Sequence, residues 1–326
     1  MIRALAMVSG GLDSILAAKL IMNQGIEVIG ICFKSAFFGP ENAIRMAAQI
    51  GMELKIVDFS PEHLEMVKQP KHGYGKNMNP CIDCHAMMMN YAGKLMKEMD
   101  ASFIITGEVL NQRPMSQTKA SLDIVKKESG YEDYILRPLC ALNLPPTKME
   151  LEGLVDREKL MGISGRSRKV QMELAEKWGI KDYPSPAGGC RLTEPGYATR
   201  LKDQFSHAKE SNLEDVEILK TGRHIRFNQN TKIIATRNQE ELKVITPMIR
   251  MDDYVFDTLD CPGSTVILRG EPSREALEFA ASICARYSKE RDKESVRVKY
   301  RHPGESEHQV IETAPAKDEY INKYFI

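Results

Sequence analysis

The chain has 326 residues, and its 45 Lys+Arg balance 45 Asp+Glu, so the formal net charge is zero. With 42% hydrophobic and 28% charged residues, the composition is that of a globular protein and excludes a disordered or fibrous polymer. The even charge argues against binding a polyanion over the whole surface but leaves room for local basic patches. No apolar run approaches the roughly 18 residues of a membrane span. No secretory leader is read at the N-terminus, so the expected location is cytoplasmic. At roughly 100–200 residues per domain, the length suggests about two domains. The seven cysteines then predict reduced thiols, a metal site or redox chemistry rather than a disulfide framework.

In chain order, residues 2–8 are apolar and predict a strand. A glycine-rich turn follows, then a helix over 14–24 whose Leu16, Leu20 and Ile21 recur at helical spacing, with Gly25 as its stop. Residues 26–33 are β-branched and predict a buried strand; 41–50 predict a helix and 53–59 a third strand. The polar stretch 69–80 reads as a functional loop, and Phe103-Ile104-Ile105 as a further strand. This alternation implies an α/β fold, a parallel sheet with helices on both faces. Thr147 and Glu150 predict a capping box opening a helix toward Leu160, and 169–178 continue helical. From about Gly222 the rhythm changes to short strands (225–227, 232–236, 265–268) and a helix over 274–287. That predicts a smaller α+β domain, with a boundary near 205–220 and domains of 1–212 and 213–326.

Ser9-Gly10-Gly11-Leu12-Asp13-Ser14 joins the first strand to the first helix. Two glycines allow a tight turn and close backbone approach, and the helix N-terminus directs free N–H groups at an anion. Asp13 makes sense there as a contact to a magnesium-bound phosphate; the bland alternative is a capped turn. Asn79-Pro80-Cys81-Ile82-Asp83-Cys84 carries a Cys-x-x-Cys pair, and Ala187-Gly188-Gly189-Cys190 supplies a third cysteine. Three readings compete for these thiols. Ranked first is an iron–sulfur cluster on three thiolates with one open iron. A persulfide and resolving pair comes second. Third is structural zinc, with His85 as the fourth ligand. Cys32, Cys140, Cys261 and Cys284 read as buried small hydrophobes, and the methionines Met87, Met88, Met89, Met96 and Met99 as helix core.

The Ser-Gly-Gly-x-Asp-Ser hexapeptide resembles the signature of the PP-loop ATP pyrophosphatases, whose fold is adenine-nucleotide α-hydrolase-like. Thr106-Gly107-Glu108-Val109-Leu110-Asn111-Gln112, Ser116-Gln117-Thr118 and Leu136-Arg137-Pro138-Leu139 resemble segments of the tRNA 4-thiouridine synthases. Asn-Pro-Cys resembles the catalytic loop of the 2-thiouridylases, and three-cysteine sets of this kind occur in cluster-dependent tRNA thiolases. Gly222-Arg223-His224 and Arg286-Tyr287-Ser288-Lys289 resemble the NFACT-R RNA-binding domain. Together these resemblances imply an ATP-dependent RNA sulfurtransferase that adenylates a uridine carbonyl and replaces its oxygen with sulfur. They imply nucleotide contacts at Ser9, Gly10, Gly11, Asp13, Ser14, Phe33, Gly107 and Gln112, and catalysis through Asp13, Cys81, Cys84 and Cys190. ATP, Mg2+ and a [4Fe-4S] cluster are the implied cofactors. Expected partners are tRNA or another structured RNA, a sulfur donor and, as one option, a second copy of the chain.

The residues themselves offer two basic candidates for RNA: Arg166, Arg168 and Lys169 before a helix, and Arg223 with Arg226 along a strand. Residues 286–301 add seven Lys/Arg against three acids. The alternatives are an amidating or ligating PP-loop enzyme that uses nitrogen, and a non-catalytic RNA-binding accessory protein.

Overall fold

The computed structural model describes residues 2–185, 189–208 and 210–326; Ala187 and Gly188 of the third cysteine motif fall outside the described residues. The chain divides into two compact units, Met1–Glu194 and Pro195–Ile326.

Among the described residues of the first unit, five strands form a wholly parallel sheet: β1 (Arg3–Met7), β2 (Glu27–Lys34), β3 (Leu54–Asp58), β4 (Phe103–Ile105) and β5 (Ile135–Leu136), in the order β3-β2-β1-β4-β5. The helices are α1 (Leu12–Met22), α2 (Glu41–Gln49), α3 (Ser60–Lys68), α4 (Cys81–Glu98), α5 (Lys119–Glu128), α6 (Lys148–Leu151) and α7 (Lys169–Lys177). Alternation along the strands feeds two cores. Ala4, Ala6 and Val28 pack with Ile15 and Leu16 of α1 and Met46 of α2. Leu5, Ile29, Ile31 and Ile104 pack on the other side with Ala92 and Met96 of α4. β2 is buried at six consecutive positions, as expected of a parallel strand covered on both faces. The strand order reverses at β1 and β4, and the carboxyl ends beside such a switch are where open α/β sheets leave a crevice.

The expected helix from Thr147 toward Leu160 is shorter than the pattern suggested. Its capping box forms, with the Glu150 carboxylate accepting the Thr147 N–H at 2.6 Å. However, α6 ends at Leu151 because Gly153 turns the chain with φ +72°. Arg157 then donates to the carbonyls of Ala141 and Leu144 at 3.0 and 2.9 Å.

The second unit holds α8 (Pro195–His207), α9 (Leu213–Glu217), α10 (Gln239–Ile245), α11 (Arg274–Arg286) and α12 (Asp318–Ile321). Its strands are β6 (Arg223–Arg226), β7 (Thr231–Ala235), β8 (Tyr254–Thr258), β9 (Val266–Gly270), β10 (Val296–Arg301) and β11 (Gln309–Thr313). Among the described residues these form one antiparallel sheet, β11-β10-β8-β9-β7-β6. Ile225, Ile233, Phe256, Val266, Leu268, Val298 and Tyr300 share one face, covered by Phe279, Ala280 and Ile283 of α11. Residues 195–212 were expected in the first domain, but α8 packs within this unit. Tyr197 is buried with its hydroxyl on the Val216 carbonyl at 2.9 Å, and Asp203 pairs with Arg226. The unit therefore starts near Pro195.

Candidate active site at the carboxyl edge of the parallel sheet

β1 runs into the glycine turn, and α1 starts at Leu12 with Gly11 at its N-cap and no side chain capping it. The first N–H groups of a well-buried helix thus stay open to an anion. Gly10 has φ +78°, and a Cβ there would lie 2.5 Å from the backbone N of Ala43 at the start of α2. At the end of β4, a Cβ on Gly107 would lie 2.5 Å from both N and Cα of Ser14. Only glycine lets β4 form the wall of the turn. The Ser14 hydroxyl donates to the Gly11 carbonyl at 2.8 Å, and Ser9 is exposed at the mouth. Asp13 Oδ2 accepts from Gln112 Nε2 at 2.7 Å, and Gln112 Oε1 accepts from Gln171 Nε2 at 2.9 Å. Asp13 Oδ1, Gln117 Oε1 and Gln171 Oε1 are buried without partners. Buried acceptors of this kind call for a donor or a cation.

The cysteines gather beside that turn. α4 begins at Cys81, which puts Cys81 and Cys84 one turn apart on the same helix face. The Cys190 segment is zipped onto the loop before α4: Met78 N–H donates to the Leu192 carbonyl at 3.2 Å, Asn77 Nδ2 to the Thr193 carbonyl at 2.6 Å, and Arg191 N–H to the Phe37 carbonyl at 3.0 Å. Burial lifts the Cys84 thiol well above its ordinary value, and the nearby Cys190 and Cys81 add to the shift. Burial and Cys81 likewise push Cys190 up to about 11. The trio thus shares one electrostatic neighbourhood, and Cys84 and Cys190 are held as thiols. Among the described residues, no three His, Cys, Asp or Glu side chains stand ready to hold a single metal ion. All seven cysteines are free of disulfides.

Two histidines flank the trio. His63 of α3 is fully buried, with Nε2 3.2 Å from Cys84 Sγ and Nδ1 unpartnered. Its ring stacks on Phe59 at 4.8 Å and meets Phe37 and Phe38 edge-on. Burial in this aromatic nest pushes its pKa down to about 4, so the imidazole beside Cys84 is neutral. His85, considered above as a fourth zinc ligand, instead places Nδ1 3.2 Å from Glu108 Oε1. Burial opposes ionisation of Glu108, yet the Arg137 guanidinium at 2.8 Å and the His85 ring outweigh it and hold its pKa at about 2. The sequence offered no sign of His63, a lone histidine on an apolar helix face. Glu108 lay inside a quoted motif, but its role depends on partners far along the chain.

Residues 2–145 match the family model described as "Thiamine biosynthesis protein (ThiI)", and residues 222–325 match "NFACT protein RNA binding domain". Over residues 2–145 the first unit is thus similar to the ThiI model. The chain is 30% identical over 169 residues to a "Probable tRNA sulfurtransferase" of Thermococcus kodakarensis, covering 49% of this chain and 41% of that one. It is 25% identical to a "tRNA-specific 2-thiouridylase MnmA 1" of Syntrophus aciditrophicus over 92% of this chain and 80% of that one. A "4-thiouridine synthetase - RNA complex with bound ATP" aligns with a TM-score of 0.36 at 17% identity, over 55% of this chain and 51% of that one. The chain thus spans less than half of the first relative and most of the second.

The first unit brings the turn, Gly107, Gln112 and the cysteines to the carboxyl edge of its sheet, but not every expected residue joins them. Phe33 lies in the core, its ring 5.3 Å from Phe59 and edge-on to Tyr91, and offers no free face to a nucleotide. Arg168 and Lys169 line an open cleft of about 610 Å³ with Met172 and Tyr183, while Arg166 is exposed. In the second unit, Arg226 is ion-paired with Asp203 at 3.1 and 2.6 Å, and Arg223 lies over the Tyr287 ring at 4.3 Å. Cys32, Cys140 and Cys284 are buried as expected, whereas Cys261 is half-buried in a turn.

Proposed function

We propose that the protein is an ATP-dependent RNA sulfurtransferase acting on tRNA. One observation carries this reading. Gly107 abuts the phosphate turn at Ser14, its neighbour Glu108 bonds His85, and His85 adjoins Cys84. The nucleotide loop and the thiols thus share one edge of one sheet.

ATP would sit with its phosphates on the open N-terminus of α1, and Asp13 Oδ1 would meet the magnesium ion that accompanies them. A uridine carbonyl oxygen attacks the α-phosphorus and pyrophosphate leaves. The oxygen now departs as AMP when sulfur attacks the same carbon. The chain's contribution is positioning and charge neutralisation. Gln112 and Gln171 fix Asp13, while Glu108 fixes the His85 ring beside the sulfur site.

Cys81, Cys84 and Cys190 would hold an iron–sulfur cluster as three thiolates. Once bound, such a cluster supplies an open iron that can carry hydrosulfide. The neutral His63 against Cys84 favours a second reading, a persulfide on Cys190 or Cys81 with Cys84 as the resolving thiol. In that case the disulfide left behind must be reduced by an external thiol.

The test is nucleoside mass spectrometry of tRNA from cells that lack the protein, complemented with the wild type or with Cys190→Ala. The expected result is a thiolated nucleoside that disappears on deletion and returns only with the wild type. Full thiolation with Cys190→Ala would overturn the reading. Iron content and visible spectrum after anaerobic purification decide between cluster and persulfide.

A further inference from the structure

The sheet of the second unit has an apolar face under α11 and a polar face. β10 alternates between them: Val296, Val298 and Tyr300 enter the core, while Arg297, Lys299 and Arg301 point to the polar side. Register places Lys299 opposite Asp257 of β8 and Val310 of β11, and Arg301 opposite Val255. Toward β7 and β9 the same face is neutralised within the unit. Arg226 holds Asp203, Arg269 holds Asp253 at 2.8 Å, and Lys232 lies buried 3.9 Å from Asp203.

Most of the basic run 286–301 is likewise engaged. Arg286 pairs with Asp318, Lys293 with Glu290, Arg297 with Asp260 and Arg291 with Asp292. Lys299 and Arg301 are different. Among the described residues neither is ion-paired, and Arg301 makes one bond, from Nη1 to the Glu305 carbonyl at 2.6 Å. Asp257, the acid nearest Lys299 in register, is occupied by the Thr265 hydroxyl at 2.7 Å. Lys299, Arg301, His308 and Asp257 line a cavity of about 130 Å³ with Val255 and Tyr300.

We propose that this open β8–β10–β11 face docks the sugar–phosphate backbone of RNA, with one phosphate seated between Lys299 and Arg301. The proposal rests on the RNA reading above and names the surface it requires. Two cations that make no ion pair flank a phosphate-sized hollow whose one lining acid is Asp257, so its lining keeps an excess of positive charge that complements a phosphate. The Arg301 fork suits phosphate oxygens, and Lys299 adds a point charge. Tyr300, the aromatic of this strand, is buried against Phe256 at 5.1 Å and stacks on no base. The surface therefore reads backbone, and binding is indifferent to base sequence.

The experiment measures binding of the full chain to a labelled tRNA transcript and to a same-length transcript of scrambled sequence, across about 50–200 mM salt. Lys299→Gln with Arg301→Gln should weaken both RNAs about tenfold or more and make the log K against log salt slope shallower by about one, for the one phosphate lost. The charge-preserving pair Lys299→Arg with Arg301→Lys should restore the slope, and Arg297→Gln should bind as wild type. If the wild type binds RNA and the double Gln variant binds equally well with an unchanged slope, the docking face is wrong while the sulfurtransferase reading stands. If the wild type binds no RNA, both fall. Should poly-glutamate compete as well as RNA at the same charge density, the occupant is an acidic polypeptide and the proposal is overturned.

Discussion

The two units treat buried polarity in opposite ways. At the carboxyl edge of the parallel sheet, Asp13 Oδ1, Gln117 Oε1, Gln171 Oε1 and His63 Nδ1 are buried without partners. Beneath α8 and α9, by contrast, Arg226 and Arg269 each grip an aspartate with two bonds, and Asp215 joins Arg250. His224 Nδ1 is an exception there. A scaffold closes its hydrogen bonds because an orphaned buried group is destabilising, whereas a site leaves groups open for what it binds. A closed ionic cluster of the first unit, Glu108 with Arg137 and His85, stands between turn and thiols and acts as a strut.

The sharpest way to break that contrast is Arg137→Met. It leaves the buried Glu108 carboxylate with His85 alone and should destabilise the protein by about 3–5 kcal/mol in urea denaturation. A loss below about 1 kcal/mol would mean that Glu108 is no strut. Lys232 gives a comparable effect of another kind. Burial holds its ammonium down at about 7, against the pull of Asp203. Between pH 7 and the ordinary lysine value the unfolded chain binds more protons, so this group makes stability rise with pH, by up to about 5 kcal/mol. Lys232→Met should remove that rise, visible as a flatter melting temperature between neutral and alkaline pH. Glu108 works lower. With its pKa at about 2, its stabilisation is complete above the ordinary carboxylate value and is lost as pH falls toward 2.

Gly107→Ala tests the site itself. The added Cβ must displace the Ser14 backbone, so ATP binding or ATP–pyrophosphate exchange should fall about 100-fold, beyond what a stability loss of about 1–3 kcal/mol accounts for in a protein that stays folded. Equal activity would show that the wall and the turn move independently. The smallest effect is expected for Arg297→Gln, which loses an exposed pair with Asp260. That should change stability by less than about 1 kcal/mol in the same urea assay.

Much of this architecture is written in local pattern. Apolar β-branched runs and helical spacing gave β1, α1, β2, α2, β3 and β4 in chain order but not α3, α5 or the short β5, and the double glycine marked the turn. The Thr147–Glu150 box was legible as a cap, although the helix beyond it was not, since Gly153 ended it after one turn. β10 was hidden because its outward positions made it read as a charged run; its inward Val296, Val298 and Tyr300 reveal the strand only once a core lies beneath them.

By itself, then, the sequence determined the parallel α/β unit, the phosphate turn and the candidacy of the three cysteines, because these follow from period, backbone freedom and residue chemistry within short windows. Tertiary structure alone decided which side chains meet. His63 reaches Cys84 from 21 residues away, Glu108 reaches His85 from 23, and Arg226 is claimed by Asp203 from 23. The last of these pairings, with its neighbours, consumes charge on the sheet face toward β7 and β9, while Lys299 and Arg301 on β10 make no ion pair. Such contacts depend on how helices and strands pack, and burial rather than residue type then sets whether each group is neutral, ionised or open to a ligand.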